Sequence, residues 1–187
     1  PYVKINNITG GKVIMNDIVD TNFKRFDAGS DVVLTAIPNA DYRLGNIIVN
    51  GSSVPVVDNK YTITNLQTDT TVDAKWVKMY KVSISSETGG SIAFDTEGPN
   101  VTSKMFDSGS KVTVSMKAET EYRMKQLMVN SKEQSTLTYT YTIDSLTKNT
   151  VISVVWQKTF SVTVASQTGG KAYYSLNGFS YQLCPAD

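Results

Sequence analysis

Phe106-Asp107-Ser108-Gly109-Ser110 repeats Phe26-Asp27-Ala28-Gly29-Ser30 at an offset of 80 in the numbering. The offset persists downstream: Tyr122-Arg123 follows Tyr42-Arg43, Val129-Asn130 follows Val49-Asn50, Tyr141-Thr142-Ile143 follows Tyr61-Thr62-Ile63, Leu146 follows Leu66 and Trp156 follows Trp76. A fixed period means tandem units, each of them one structural module, with function attached to the array rather than to a single cleft. The expected division is a first β repeat module over 1–78, a second over 79–158, and an incomplete third over 159–187 that holds only its opening hairpin.

Upstream of these motifs a Gly-Gly pair opens each unit. Thr9-Gly10-Gly11 follows Val3-Lys4-Ile5, Thr88-Gly89-Gly90 follows Val82-Ser83-Ile84, and Thr168-Gly169-Gly170 follows Val162-Thr163-Val164. Two glycines between alternating runs predict a hairpin whose primed turn needs positive φ. The first two pairs stand one position closer together than the period, so one residue fewer separates the glycines from the Phe-Asp motif in unit one.

The rest of each unit reads as strands. Asp31 to Ile37 is rich in β-branched residues and closes at Pro38-Asn39, and Val112 and Val114 alternate with Thr113 and Ser115 as in a sheet with one wet face. Tyr122 to Asn130 would tolerate a helix, but its partner Tyr42 to Val49 contains Gly45 and two isoleucines, and shared ancestry of the units decides for strand. Asn50-Gly51 is a strong hairpin signal, which Asn130-Ser131 weakens in the second copy. Val77-Lys78-Met79-Tyr80 passes from one unit to the next without Gly, Ser or Pro, so the modules are expected to be stiffly joined.

Composition narrows the function classes. The chain has 187 residues, long enough for two modules that each bury roughly 60–65% of their unfolded surface. Eighteen Lys and Arg against 17 Asp and Glu argue against a nucleic-acid footprint, which is a clustered basic excess. The sequence has no histidine, which removes the commonest general base and zinc ligand together. Its one cysteine, Cys184, cannot make an intrachain disulfide. With no Gly-rich phosphate loop, Ser-x-x-Lys motif or paired carboxylates in a known frame, the expectation is a non-enzyme with no catalytic residue, cofactor or metal. No apolar run is long enough to span a bilayer and no signal peptide is legible, so direct membrane insertion of this segment is not expected. Because it begins at Pro1 inside a strand pattern, the chain reads as excised from something longer.

Candidate contact residues are few. Tyr173, Phe179 and Tyr181 crowd the C-terminal end and could form a ligand patch, although an aromatic surface orphaned by truncation is the plainer account. Trp76 and Trp156 read as core or inter-module residues rather than sugar platforms. Asp17, Asp20, Asp27 and Asp31 suggest calcium only until the second unit is compared, where Asp107 alone survives and Lys111 stands in place of Asp31. The triplets Asn7-Ile8-Thr9, Asn50-Gly51-Ser52 and Asn100-Val101-Thr102 fit the glycosylation pattern but arise by chance in so Asn- and Thr-rich a chain.

The order Gly-Gly, turn-Gly-Ser, strand ending near Pro, Tyr-Arg, Val-Asn-Gly, Tyr-Thr-Ile-x-x-Leu and Thr-x-Val-x-Ala-x-Trp, read from unit one, resembles the divergent B-repeats named after internalin B. The likeness covers 2–158 and part of 159–187. It departs where Ile47-Ile48 and Leu127-Met128 replace the aromatic often found before Asn-Gly. The resemblance implies an all-β, β-grasp-like module as long as the period, strung in tandem in a bacterial secreted or cell-surface protein. It implies a stalk or spacer with an adhesion surface, whose partner is a host or bacterial surface protein or glycan and not nucleic acid. The alternative is a carbohydrate- or protein-binding module that uses exposed aromatics.

Overall fold

The computed structural model describes residues 1–6, 9–19, 21–98, 100–162, 173–174 and 182–183. Among them every regular element is a strand. In the first half these are β1 (Tyr2–Ile5), β2 (Gly11–Met15), β3 (Phe23–Arg25), β4 (Ser30–Pro38), β5 (Tyr42–Val49), β6 (Ser52–Val54), β7 (Lys60–Leu66) and β8 (Thr70–Ser86). Then come β9 (Gly90–Phe94), β10 (Ser103–Asp107), β11 (Val112–Ala118), β12 (Tyr122–Val129), β13 (Lys132–Glu133), β14 (Thr140–Ile143), β15 (Thr150–Lys158), β16 (Tyr173–Tyr174) and β17 (Gln182–Leu183).

Two sheets face each other in the first half. One runs β3-β1-β8-β5-β6, with β1 parallel to the start of β8 and the other pairs antiparallel; the second runs β2-β4-β7. Alternation puts Val32, Leu34 and Ala36 of β4 against Val3, Ile5, Ile47, Val72 and Ala74 of the facing sheet, all nearly inaccessible to solvent. The second half repeats this strand for strand: β10-β8-β15-β12-β13 covers β9-β11-β14. Its core is Val82, Ile84, Phe94, Val112, Val114, Met116, Leu127, Ile152 and Val154 with neighbours, and the two clusters share no residue.

Corresponding positions of the two halves are buried. Leu34 and Val114, Ala36 and Met116, and Ala74 and Val154 keep the full period, whereas Val3 and Val82, and Met15 and Phe94, fall one short of it. The single-residue difference thus falls between β2 and β3 in one half and β9 and β10 in the other. Even the irregularity is copied: β5 bulges against β8 between Leu44 and Asn46, and β12 bulges against β15 between Met124 and Gln126.

The last strand of each half lies at the centre of its sheet, between a parallel and an antiparallel neighbour. β8 has both roles in turn. Its start pairs with β1 and β5 as the closing strand of the first half, and its end pairs with β10 and β15 as the opening strand of the second.

The Gly-Gly turns are not hairpins. Among the described residues β1 pairs with β3 and β8, β2 pairs with β4, and β9 pairs with β11, so each Gly-Gly carries the chain from one sheet to the facing one. Only the first glycine of each pair needs the left-handed region, with φ of 126° at Gly10 and 115° at Gly89. The second is required by an aromatic ring. A Cβ at Gly90 would stand 2.3 Å from Cε2 of Trp156, and one at Gly11 2.5 Å from Cη2 of Trp76. The third pair, Gly169-Gly170, lies outside the described residues, as does most of the hairpin expected over Phe160 to Tyr174.

Candidate functional site: the joint between the halves

Residues 77–80 lie inside β8, so the sheet hydrogen bonding runs through the point where one half gives way to the next. The Asp41 carbonyl, in the turn before β5, accepts the Met79 N–H at 2.8 Å, and the Lys78 carbonyl accepts the Ser108 N–H at 2.8 Å. Turns from both halves are thereby fixed to the same stretch of β8. Lys78 lies 3.5 Å from the Asp41 carboxylate, and its ammonium sits 4.7 Å from the ring centre of Tyr42 and 5.9 Å from that of Tyr80.

Across this joint Arg43 reaches from β5 to Asp107 at the end of β10. Its Nε donates to Oδ1 at 2.7 Å and its Nη2 donates to Oδ2, a two-pronged pair that fixes direction as well as distance. Hydrogen bonding from Arg43 holds the Asp107 carboxyl below the usual carboxylate range, and the same bond raises the guanidinium further above its own. Both side chains stay partly in water, 47% and 34% exposed, so the pair orients more than it stabilises. Sequence reading found both residues as repeated punctuation and missed that they meet. The available signal was the spacing between the Tyr-Arg motif of one unit and the Phe-Asp motif of the next, which a strict period holds constant along the array.

The far end of the second half carries the matching set. Glu121 takes the place of Asp41, and its carbonyl accepts the Thr159 N–H at 2.6 Å. Lys158 lies 3.7 Å from the Glu121 carboxylate and 5.5 Å from the Phe160 ring centre. Arg123 donates to the Gln157 side chain at 3.1 Å. Phe160 and Val162 are 81% and 82% exposed, whereas Val82, the equivalent of Val162, is fully buried.

Of the sequence-derived contact residues, Tyr173 falls in β16, opposite Leu183 of β17, and Phe179 and Tyr181 lie outside the described residues. Trp156 is buried, with Nε1 donating to Ser86 Oγ at 2.7 Å, and Trp76 is half-buried against the first core. Asp31 accepts the Asn65 backbone N–H at 2.8 Å, and Asp20 lies outside the described residues. Among the described residues no three Cys, Asp or Glu side chains converge as metal ligands. An open depression of about 570 Å³ is lined by Gly90, Ser91, Lys117, Ala118, Glu119 and Thr120. No helix of the described residues is long and apolar enough to cross a membrane.

Residues 2–79 match the divergent InlB B-repeat domain, a repeat domain and not a known enzyme family, found in bacterial surface proteins. No curated protein matches the chain.

Proposed function

We propose, from the premise that residues 2–79 match the divergent InlB B-repeat domain, that this chain is a non-enzymatic stalk segment of a bacterial secreted or cell-surface protein. Residues 1–78 and 79–158 are two copies of one module. The array holds a binding or adhesive element away from the surface on which it is anchored, with a host or bacterial surface protein or glycan as its partner. The observation that carries this reading is β8, one strand of 17 residues shared by two sheets whose cores are separate. A spacer needs modules that fold on their own cores and a joint that keeps their directions, and a strand common to both sheets leaves no hinge between them.

Residual dipolar couplings test the joint: amides of both halves are expected to fit one alignment tensor. Two independent tensors, or scattering from a compact particle built on one shared core, would overturn the reading. A second reading, a carbohydrate- or protein-binding module, is favoured by the exposed aromatic Phe160 and by Tyr139, which is 49% exposed. A glycan and protein array separates the two. Absence of binding to every class removes the second reading, and saturable binding lost on Tyr139→Ser would establish it.

A further inference from the structure

The two halves have matching cores but different outer faces on the larger sheet. Val3 and Ile5 of β1 point into the core, which turns Tyr2 and Lys4 outward, and strand pairing sets Arg25 beside Tyr2 and Phe23 beside Lys4 on that same face. Aromatic rings take one diagonal of this square: the ring centres of Tyr2 and Phe23 are 5.0 Å apart, and Phe23 is 44% exposed. Cations take the other diagonal, with backbones roughly 7–8 Å apart. Among the described residues neither Lys4 nor Arg25 is ion-paired. The carboxylates bonded to this edge of the sheet are held by neutral donors, Asp73 accepting from the Asn6 side chain at 2.9 Å and Asp69 from the Tyr2 N–H at 3.0 Å.

The second half lacks this set. Lys81 and Ser83 stand where Tyr2 and Lys4 do, and Ser103 and Met105 stand in place of Phe23 and Arg25. The strands pair in the same register without it, so the module does not need it to fold. A different cation is kept by both copies: Lys24 and Lys104 lie 5.3 and 5.5 Å from the ring centres of Phe26 and Phe106. An exposed aromatic pair and two unpaired cations that only one copy carries are not explained by the shared fold.

We propose that Tyr2, Lys4, Phe23 and Arg25 bind a linear polysaccharide that bears carboxylates, with a sugar ring on Phe23 and the acid groups held by Lys4 and Arg25. A sugar ring presents a C–H face that packs on an exposed aromatic ring, and Arg25 offers a carboxylate a planar, two-pronged donor. Charge complementarity selects an acidic sugar over a neutral one. β3 is the last strand on its side of the sheet, so the site opens to an extended chain passing along that border.

The inference names the glycan of the adhesive reading above, on which it rests, and places it on residues other than Phe160 and Tyr139. Hyaluronan oligosaccharide titrated into the whole chain is expected to shift the amide resonances of β1 and β3 saturably and to leave those of β10 and the end of β8, the equivalent surface of the second half, in place. Neutral dextran should shift neither. Lys4→Gln combined with Arg25→Gln should weaken binding roughly tenfold, as should salt at about 1 M, and Phe23→Ser should weaken it roughly fivefold. Unchanged β4 resonances, in the core of the first half, show that each variant folds. No shifts with hyaluronan, equal shifts on both halves, equally tight binding of duplex DNA, or binding untouched by these substitutions would each overturn the site. Saturable binding that maps to Tyr139 instead would overturn it too and leave the adhesive reading standing.

Discussion

Arg43 of the first half and Asp107 of the second meet as a bidentate ion pair across the joint, far apart in sequence and anchored on strands that both border β8. Because the Asp107 carboxyl titrates below its ordinary value, the stability it contributes is complete above about pH 3.9 and is lost as pH falls through the lower folded-state value. Arg43 stays charged throughout that window. Asp107→Asn is expected to lower stability by less than ~1 kcal/mol, since the pair is partly exposed, and to widen the angular spread between the halves seen in dipolar couplings. Raising the salt concentration to about 1 M should reproduce part of that spread, through screening.

Gly90→Ala is expected to destabilise the second half by about 2–3 kcal/mol, because the new Cβ overlaps the Trp156 indole and comes within 2.6 Å of the Lys117 carbonyl. Thermal unfolding of the Trp156→Leu background is the control. Where the ring is gone the same change should cost less, the remaining cost coming from the Lys117 carbonyl, and equal costs in both backgrounds would assign the whole effect to that carbonyl.

Phe94→Ala tests the separateness of the cores. The ring is 1% exposed and its loss should cost the second half about 3–5 kcal/mol. Amide hydrogen exchange in β4 should stay within about threefold of the unaltered chain, whereas β11 amides should exchange far faster. Equal acceleration in both strands would mean one cooperative unit.

Ser131→Gly should stabilise. Asn130 and Ser131 both sit at positive φ, 50° and 63°, in the same turn that Asn50 and Gly51 form at 48° and 81°. A Cβ at Gly51 meets open space, so the strain at Ser131 is conformational rather than steric crowding. Its relief is expected to raise the unfolding free energy by ~1 kcal/mol, a few degrees in Tm for a module of this size. The Asn130 side chain, which accepts the Val151 N–H at 2.9 Å, is unaffected by the change.

The strands were legible because their signal is local. Alternation in Val112 to Ser115 and β-branching in Asp31 to Ile37 give direction and face without any partner, and the copy at Tyr42 to Val49 decided the state of Tyr122 to Val129. Pairing was not legible. Which sheet the strand after Gly-Gly joins is a matter of distant contacts, and the second glycine of each pair lies against Trp76 or Trp156, at the far end of each half. The Arg43–Asp107 pair was hidden for a similar reason, since its members belong to different repeats and comparison of repeats aligns them with their copies and not with each other.

The parallel placement of β1 against β8 bears on how the chain answers force. Tension applied along the polypeptide pulls on the N-terminal end of β1 and, through β8, on the strand that continues into the second half. Parallel neighbours pulled from opposite ends are loaded in shear, so their hydrogen bonds resist together instead of opening one by one. β8 and β15 repeat the arrangement. Tension along the chain therefore loads both parallel pairs, β1 with β8 and β8 with β15, in shear.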